Sequence, residues 1–188
     1  MTFATKIKLA AVFFVTVTAI SSIGLLLWGG GAWIAVTVTC ATFAYHFCMR
    51  LAVGYAVNGI MRNRAKLSRG WYRPRAFEKR LYALLRVRKW RDRLPTYAPE
   101  LFSRERHTLE EIAMAMCQAE IVHEIIALLS FLPLAFVPWL GAFWVFLITS
   151  CLSAGGDLLF VILQRYNRPI LLRVIEKQEK RNQNSKWN

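Results

Sequence analysis

The residues best placed to do chemistry are acids and histidines lodged inside apolar runs. Between Ile112 and Leu132 the chain carries Glu120, His123 and Glu124. Glu120 and His123 are three apart and Glu120 and Glu124 four apart, so on a helix all three share one face. Ala113 and Cys117 continue that face with small side chains, leaving room beside it. A histidine next to a carboxylate is the usual way to make a base that takes a proton from a hydroxyl near neutral pH. The same two residues could instead form an ion pair that holds two helices together. Glu-x-x-His also supplies two metal ligands in di-iron bundles, but that scheme needs a second copy of the motif and the chain has none. The spacing leaves the base and the ion pair both open, and no metal site is expected.

Three further places carry polar groups where apolar ones are expected. His46 and Arg50 lie four apart on one helical face. Asp157 follows the flexible run Ser153-Ala154-Gly155-Gly156, where it could pair with Arg50 or Arg165 or belong to a site. The run Gln164-Arg165-Tyr166-Asn167-Arg168-Pro169 gathers hydrogen-bond donors, and its Pro is expected to turn the chain out of helix. Cys40, Cys48, Cys117 and Cys151 contain no CxxC pair and read as small apolar residues.

The elements that must position these groups follow from charge. The chain has 188 residues, 56% of them hydrophobic, and a formal net charge of +14. All 25 Lys and Arg fall before Leu9, between Arg50 and Arg106, or from Arg165 onward. Two long intervals, Leu9 to Met49 and His107 to Gln164, therefore contain neither. Such a chain is too apolar for a disordered tail and reads as an integral membrane protein rather than a soluble domain. Because a spanning helix needs roughly 20 apolar residues, four fit: about 9–28, 32–57, 112–132 and 139–163. The expected fold is all-α and polytopic, a single membrane domain over 1–188, with four helices in two hairpins. A cleaved secretory leader fits less well, since the first apolar stretch continues to Trp28.

Lys and Arg resist translocation, which places both termini and the basic connector 58–107 on the cytoplasmic side of the cell membrane. The outer connections are then Gly29-Gly30-Gly31 and a tight turn over Pro133 to Pro138, flanked by Trp28, Trp33, Trp139 and Trp144. From Pro74 to Leu94, Phe77, Leu81, Leu84, Leu85 and Trp90 recur at roughly helical spacing among Arg75, Lys79, Arg88 and Lys89, which predicts one basic amphipathic helix at the interface. Such a helix clings to anionic lipid and could also hold a phosphate-bearing ligand. A C-terminal cytoplasmic helix is expected over 164–188, and Thr108 with Glu111 has the form of a capping box opening the third span. Topology accounts for the basic residues, so nucleic acid is not an expected partner.

Four runs, in this order, resemble the glycosyl-4,4'-diaponeurosporenoate acyltransferase family: Arg73-Pro74-Arg75-Ala76-Phe77-Glu78-Lys79, Val87-Arg88-Lys89-Trp90-Arg91-Asp92-Arg93-Leu94-Pro95, Ala119-Glu120-Ile121-Val122-His123, and Gln164 to Pro169. Together they cover roughly Arg73 to Leu172. Asp157 stands where the family pattern has an Asn, and Ile170 where it has an Arg, so the resemblance bears on chemistry more than on substrate. It implies a membrane enzyme that esterifies a hydroxyl of a glycosylated lipid or carotenoid with a fatty acyl chain. No cofactor is implied beyond acyl-CoA or another acyl donor as co-substrate, and the partners are membrane lipid, that donor and the lipid-borne acceptor. In this light His123 is the expected base and Glu120 the residue that orients it. Arg165, Tyr166, Asn167 and Arg168, with Asp157 and His46, are expected to bind substrate, and Arg75, Lys79, Arg88 and Lys89 to hold the donor. The alternative is a non-enzymatic four-helix protein that binds lipid or a partner, with Glu120 and His123 as a structural pair.

Overall fold

The computed structural model describes residues 1–186, and it is all-helical, with 82% of the chain in helix and no strand among the described residues. In chain order the helices are α1 (Phe3–Trp28), α2 (Gly31–Met61), the short α3 (Glu78–Leu84) and α4 (Val87–Trp90), then α5 (Leu109–Leu129), α6 (Val137–Leu140) and α7 (Phe143–Lys186). Four stretches are long and apolar enough to cross a membrane: α1, α2, Leu109–Leu140 and α7.

Local chemistry sets the ends. Thr2 caps α1 by accepting from the Thr5 backbone. Gly29 and Gly30 take φ of 64° and 96°, a backbone that side chains disfavour, and so end α1 and start α2. Thr108 and Glu111 form a reciprocal capping box: Thr108 N–H donates to Glu111 Oε2 at 2.9 Å, and Glu111 N–H to Thr108 Oγ1 at 3.2 Å.

Three expectations change. The stretch Pro74 to Leu94 is not one helix, because Arg86 adopts a left-handed φ of 49° between α3 and α4. That costs roughly 1–2 kcal/mol, offset by complete burial of Val87 just after it. The Pro133 to Pro138 connection is helical rather than a tight turn, a 3-10 stretch over Leu132–Phe136 followed by α6. Each Pro falls in the first turn of its helix, where no N–H is needed. Finally, Pro169 does not end a helix but sits inside the 44-residue α7. It lacks the N–H for the Arg165 carbonyl and costs about 3 kcal/mol. Side chains anchored on both sides, Arg165 and Arg168 in ion pairs and Leu171 and Ile175 in a core, hold the helix across it. The segment expected as a separate helix over 164–188 is therefore the continuation of the fourth span, with Trp187 and Asn188 outside the described residues.

The chain forms two compact units, and α2, α5 and α7 contribute to both. One comprises Met1–Ala56 and Glu124–Leu158. Here α1 meets α2 through Phe14, stacked on Phe43 at 4.9 Å and Phe47 at 5.7 Å, and through the Trp28–Trp33 pair. The Trp33 ring lies so close to Gly24 that a Cβ there would meet it at 2.6 Å. Large apolar side chains such as Leu26 and Leu152 stay exposed, as expected where the solvent is lipid. The other unit comprises Val57–His123 and Leu159 onward. Ile112, Ala113, Leu171 and Ile175 form one of its cores, and Ala65, Tyr72 and Cys117 a second.

Candidate functional site

Glu120 is completely buried on α5, and its carboxylate is shared between two guanidinium groups. Arg165 Nη1 donates to Oε1 at 2.5 Å, and Arg168 Nη1 donates to Oε2. A second buried acid, Glu78 at the start of α3, completes the network. Its Oε1 accepts from Arg165 Nε at 2.9 Å and Nη2 at 2.5 Å, while its Oε2 accepts from the Tyr82 hydroxyl at 2.8 Å. Burial and that bond to Glu78 push the Tyr82 phenol well above its ordinary range, so it stays a donor. Arg165 also donates to the carbonyls of Trp71 and Arg73, both at 3.1 Å. All five of its N–H donors are thereby engaged. Arg168 adds a bond to the Tyr72 carbonyl at 2.7 Å and lies 5.1 Å above the Tyr72 ring.

Two Glu and two Arg thus balance in charge and in hydrogen bonds, the condition under which buried ions are tolerated. The network ties the 70–84 segment to α5 and α7. Because α7 stays helical through Pro169, Arg165 and Arg168 project three apart onto the same carboxylate.

Beside this network, Arg91 Nη1 donates to Asn167 Oδ1 at 3.2 Å and its guanidinium lies 5.6 Å over the Tyr166 ring. Tyr82 meets Tyr166 edge-on at 5.3 Å. With its oxygen held by Arg91, the Asn167 amide presents its NH₂ end as donor to other partners. His123 is half-buried and stacked on Phe160, ring centroids 4.7 Å apart and planes 11° from parallel. Stacking on the ring face fixes the imidazole plane and leaves bonding to the nitrogens at its edge. Arg75, Lys79, Arg88 and Lys89 are exposed, with Arg75 over the Trp71 ring at 5.7 Å.

His46 and Asp157 belong to the other unit. Arg50 Nη2 donates to Asp157 Oδ2 at 2.5 Å and to Ser153 Oγ at 2.9 Å, and Ser153 Oγ is 2.7 Å from Ser130 Oγ. Asp157 thus takes the Arg50 partnership rather than the Arg165 one. His46 is buried within electrostatic reach of Arg50 and Asp157, yet among the described residues neither of its ring nitrogens has a hydrogen-bond partner.

The structure therefore collects Glu120, Arg165 and Arg168 in one network, sets Tyr166 and Asn167 together on Arg91, and puts His46 with Arg50 and Asp157 in a separate cluster. Glu78, Tyr72, Tyr82 and Arg91 were not singled out as site residues from sequence. The signal for Glu78 was its place inside one of the four runs, as an acid among bases. Among the described residues, no group of three His, Cys, Asp or Glu is placed to hold a metal ion.

A family model described as glycosyl-4,4'-diaponeurosporenoate acyltransferase matches residues 68–177, more than half of the chain. The matched stretch contains every residue of the Glu78–Glu120–Arg165–Arg168 network. Neither the search of curated proteins nor that of solved structures returned a match.

Proposed function

We propose, from the premise that the chain belongs to the glycosyl-4,4'-diaponeurosporenoate acyltransferase family, that this multi-pass membrane protein esterifies a hydroxyl of a glycosylated lipid or carotenoid with a fatty acyl chain. The observation that carries the assignment of parts is the fixed imidazole of His123, one turn along α5 from a carboxylate that is already committed to two guanidiniums. With each Glu120 oxygen held by a charged donor, His123 is the better proton acceptor. Its nitrogen takes the hydroxyl proton as the acceptor oxygen attacks the donor carbonyl. The C–O ester bond forms, the bond to the leaving group breaks, and the proton passes to the departing thiolate when the donor is a thioester. Glu120 is then a positioning residue, acting through Arg165 and Arg168. The Asn167 NH₂ donates to the acceptor or to the developing oxyanion, Arg168 stays in the frame on Glu120 and the Tyr72 carbonyl, and Tyr166 packs against the sugar. Arg75, Lys79, Arg88 and Lys89 collect a phosphorylated donor such as acyl-CoA.

The test is mass spectrometry of lipids from cells with the chain, without it, and with His123→Ala at equal accumulation. The expected result is an acylated glycolipid present only with the parent chain, and a rate roughly 10²–10⁴-fold lower in His123→Ala. The same ester formed at parental rate per folded molecule would remove the base assignment. Unchanged lipids with normal accumulation of the parent would favour the non-enzymatic reading. For topology, both termini and the 58–107 connector are placed in the cytoplasm. A cysteine at Ser68, in a chain with Cys48 and Cys151 replaced, should resist an impermeant thiol reagent added outside; labelling would reverse the orientation.

A further inference from the structure

The chain contains no Asp or Glu before Glu78, so Arg62, Arg64, Lys66 and Arg69 follow one another with no acid to pair with locally. In the structure these four cations line one open cavity of about 540 Å³ together with Gly59, Ile60, Met61, Ala65 and Tyr72. No carboxylate among the described residues lines it. Four like charges around one concavity repel one another and concentrate field lines in it, so the site gains free energy by taking up an anion.

The walls are held in place. Arg62 and Asn63 adopt left-handed φ of 45° and 57° immediately after α2. Asn63 N–H donates to Gln118 Oε1 at 2.7 Å, and Gln118 Nε2 donates in turn to Asn58 Oδ1 at 3.1 Å. Three of the carbonyls at the end of α2, whose dipole would oppose an anion, are occupied: Asn58 accepts from Arg62 N–H at 2.9 Å, Met61 from Arg64 N–H at 2.8 Å, and Gly59 from Arg62 Nε at 3.3 Å. At the back wall, the Tyr72 carbonyl accepts from Arg168 and so joins the cavity to the Glu120 network.

We infer that the cavity lined by Arg62, Arg64, Lys66 and Arg69 binds the phosphate of a phosphorylated ligand, either a soluble nucleotide-bearing acyl carrier or an anionic lipid headgroup. Phosphate is the anion that fits several guanidinium forks and an ammonium at once, through short charge-assisted bonds. The inference concerns binding and stands apart from the acyl-transfer reading. If that reading also holds, the cavity is the anchor for the donor, in addition to the exposed cations of α3 and α4.

The purified full chain in zwitterionic detergent is titrated with coenzyme A, and in parallel its retention of phosphatidylglycerol is followed by native mass spectrometry. Arg64→Gln/Lys66→Gln removes two exposed cavity cations, and Arg104→Gln/Arg106→Gln removes two exposed cations outside the cavity. The expected result is a loss of about tenfold or more in affinity for one of the two probes in the cavity variant only, given the strength of charge-assisted bonds. Loss for coenzyme A identifies a soluble ligand, and loss for phosphatidylglycerol a headgroup. Equal behaviour of the two variants toward both probes overturns the site. Should the double variant fail to elute as monodisperse protein, Lys66→Ala is measured in its place against the same criterion. No readout here depends on acyl transfer, so failure of the site and failure of the enzyme reading are separate results.

Discussion

Two clusters of buried charge can be compared within this chain, one in each compact unit. Around Glu120, two carboxylates meet two guanidiniums, and every Arg165 donor has an acceptor. Around Asp157, an Arg–Asp pair is supplemented by two serine hydroxyls, and beside it the two His46 ring nitrogens have no hydrogen-bond partner among the described residues. A saturated network holds backbone segments in place and offers little to a ligand. An unsatisfied polar group retains a hydrogen bond to give, at a standing cost of roughly 1–3 kcal/mol. The first cluster therefore reads as a frame for neighbouring Asn167 and His123, and the second as one that keeps hydrogen-bonding capacity unspent at His46.

The largest effect that separates the two is expected from Glu120→Ala. Removing the carboxylate takes from the buried Arg168 the acid it pairs with and leaves it beside Arg165, which keeps Glu78, and this should destabilise the chain by about 3–5 kcal/mol. Thermal unfolding in detergent, followed by size exclusion, measures it. Glu120→Gln keeps the shape and one acceptor and should fall between Ala and the parent. If Glu120→Ala unfolds at the parental temperature, the network is not a frame and the contrast between the clusters disappears.

A smaller loss is expected from Asp157→Ala. Arg50 is left without its carboxylate, but its side chain is 22% exposed, and it still has Ser153 Oγ and the Ser153 carbonyl as acceptors. The cost should be about 1–3 kcal/mol by the same measurement. A loss equal to that of Glu120→Ala would mean that the two clusters carry comparable structural weight.

Much of this arrangement is legible in the residue string, and the illegible part has a physical cause. The four spans follow from the absence of Lys and Arg between Leu9 and Met49 and between His107 and Gln164. The capping box follows from Thr108 and Glu111. Both are local patterns in which sequence neighbours are also spatial neighbours. The participation of Glu78 is different, because its partner Arg165 is 87 residues away and no periodicity encodes the pairing. Read alone, an acid among Arg75, Lys79 and Arg80 is a solvated charge. Arg86 and Pro169 fail for the converse reason: local preference forbids a left-handed Arg and a Pro within helix, and tertiary anchoring at Val87 and at Arg165 and Arg168 outweighs it.

The smallest stability effect, and the sharpest test of the comparison, is expected from His46→Phe. An aromatic of similar shape removes two buried nitrogens that have no partner, so the folded state loses no hydrogen bond and sheds an unsatisfied polar group. Against that stands the slightly larger ring, for which neighbouring side chains on α2 must yield. The two terms are of similar size, and the unfolding temperature should shift by the equivalent of less than about 1 kcal/mol in either direction. A drop in stability as large as that from Asp157→Ala would show that the imidazole is held in a network after all.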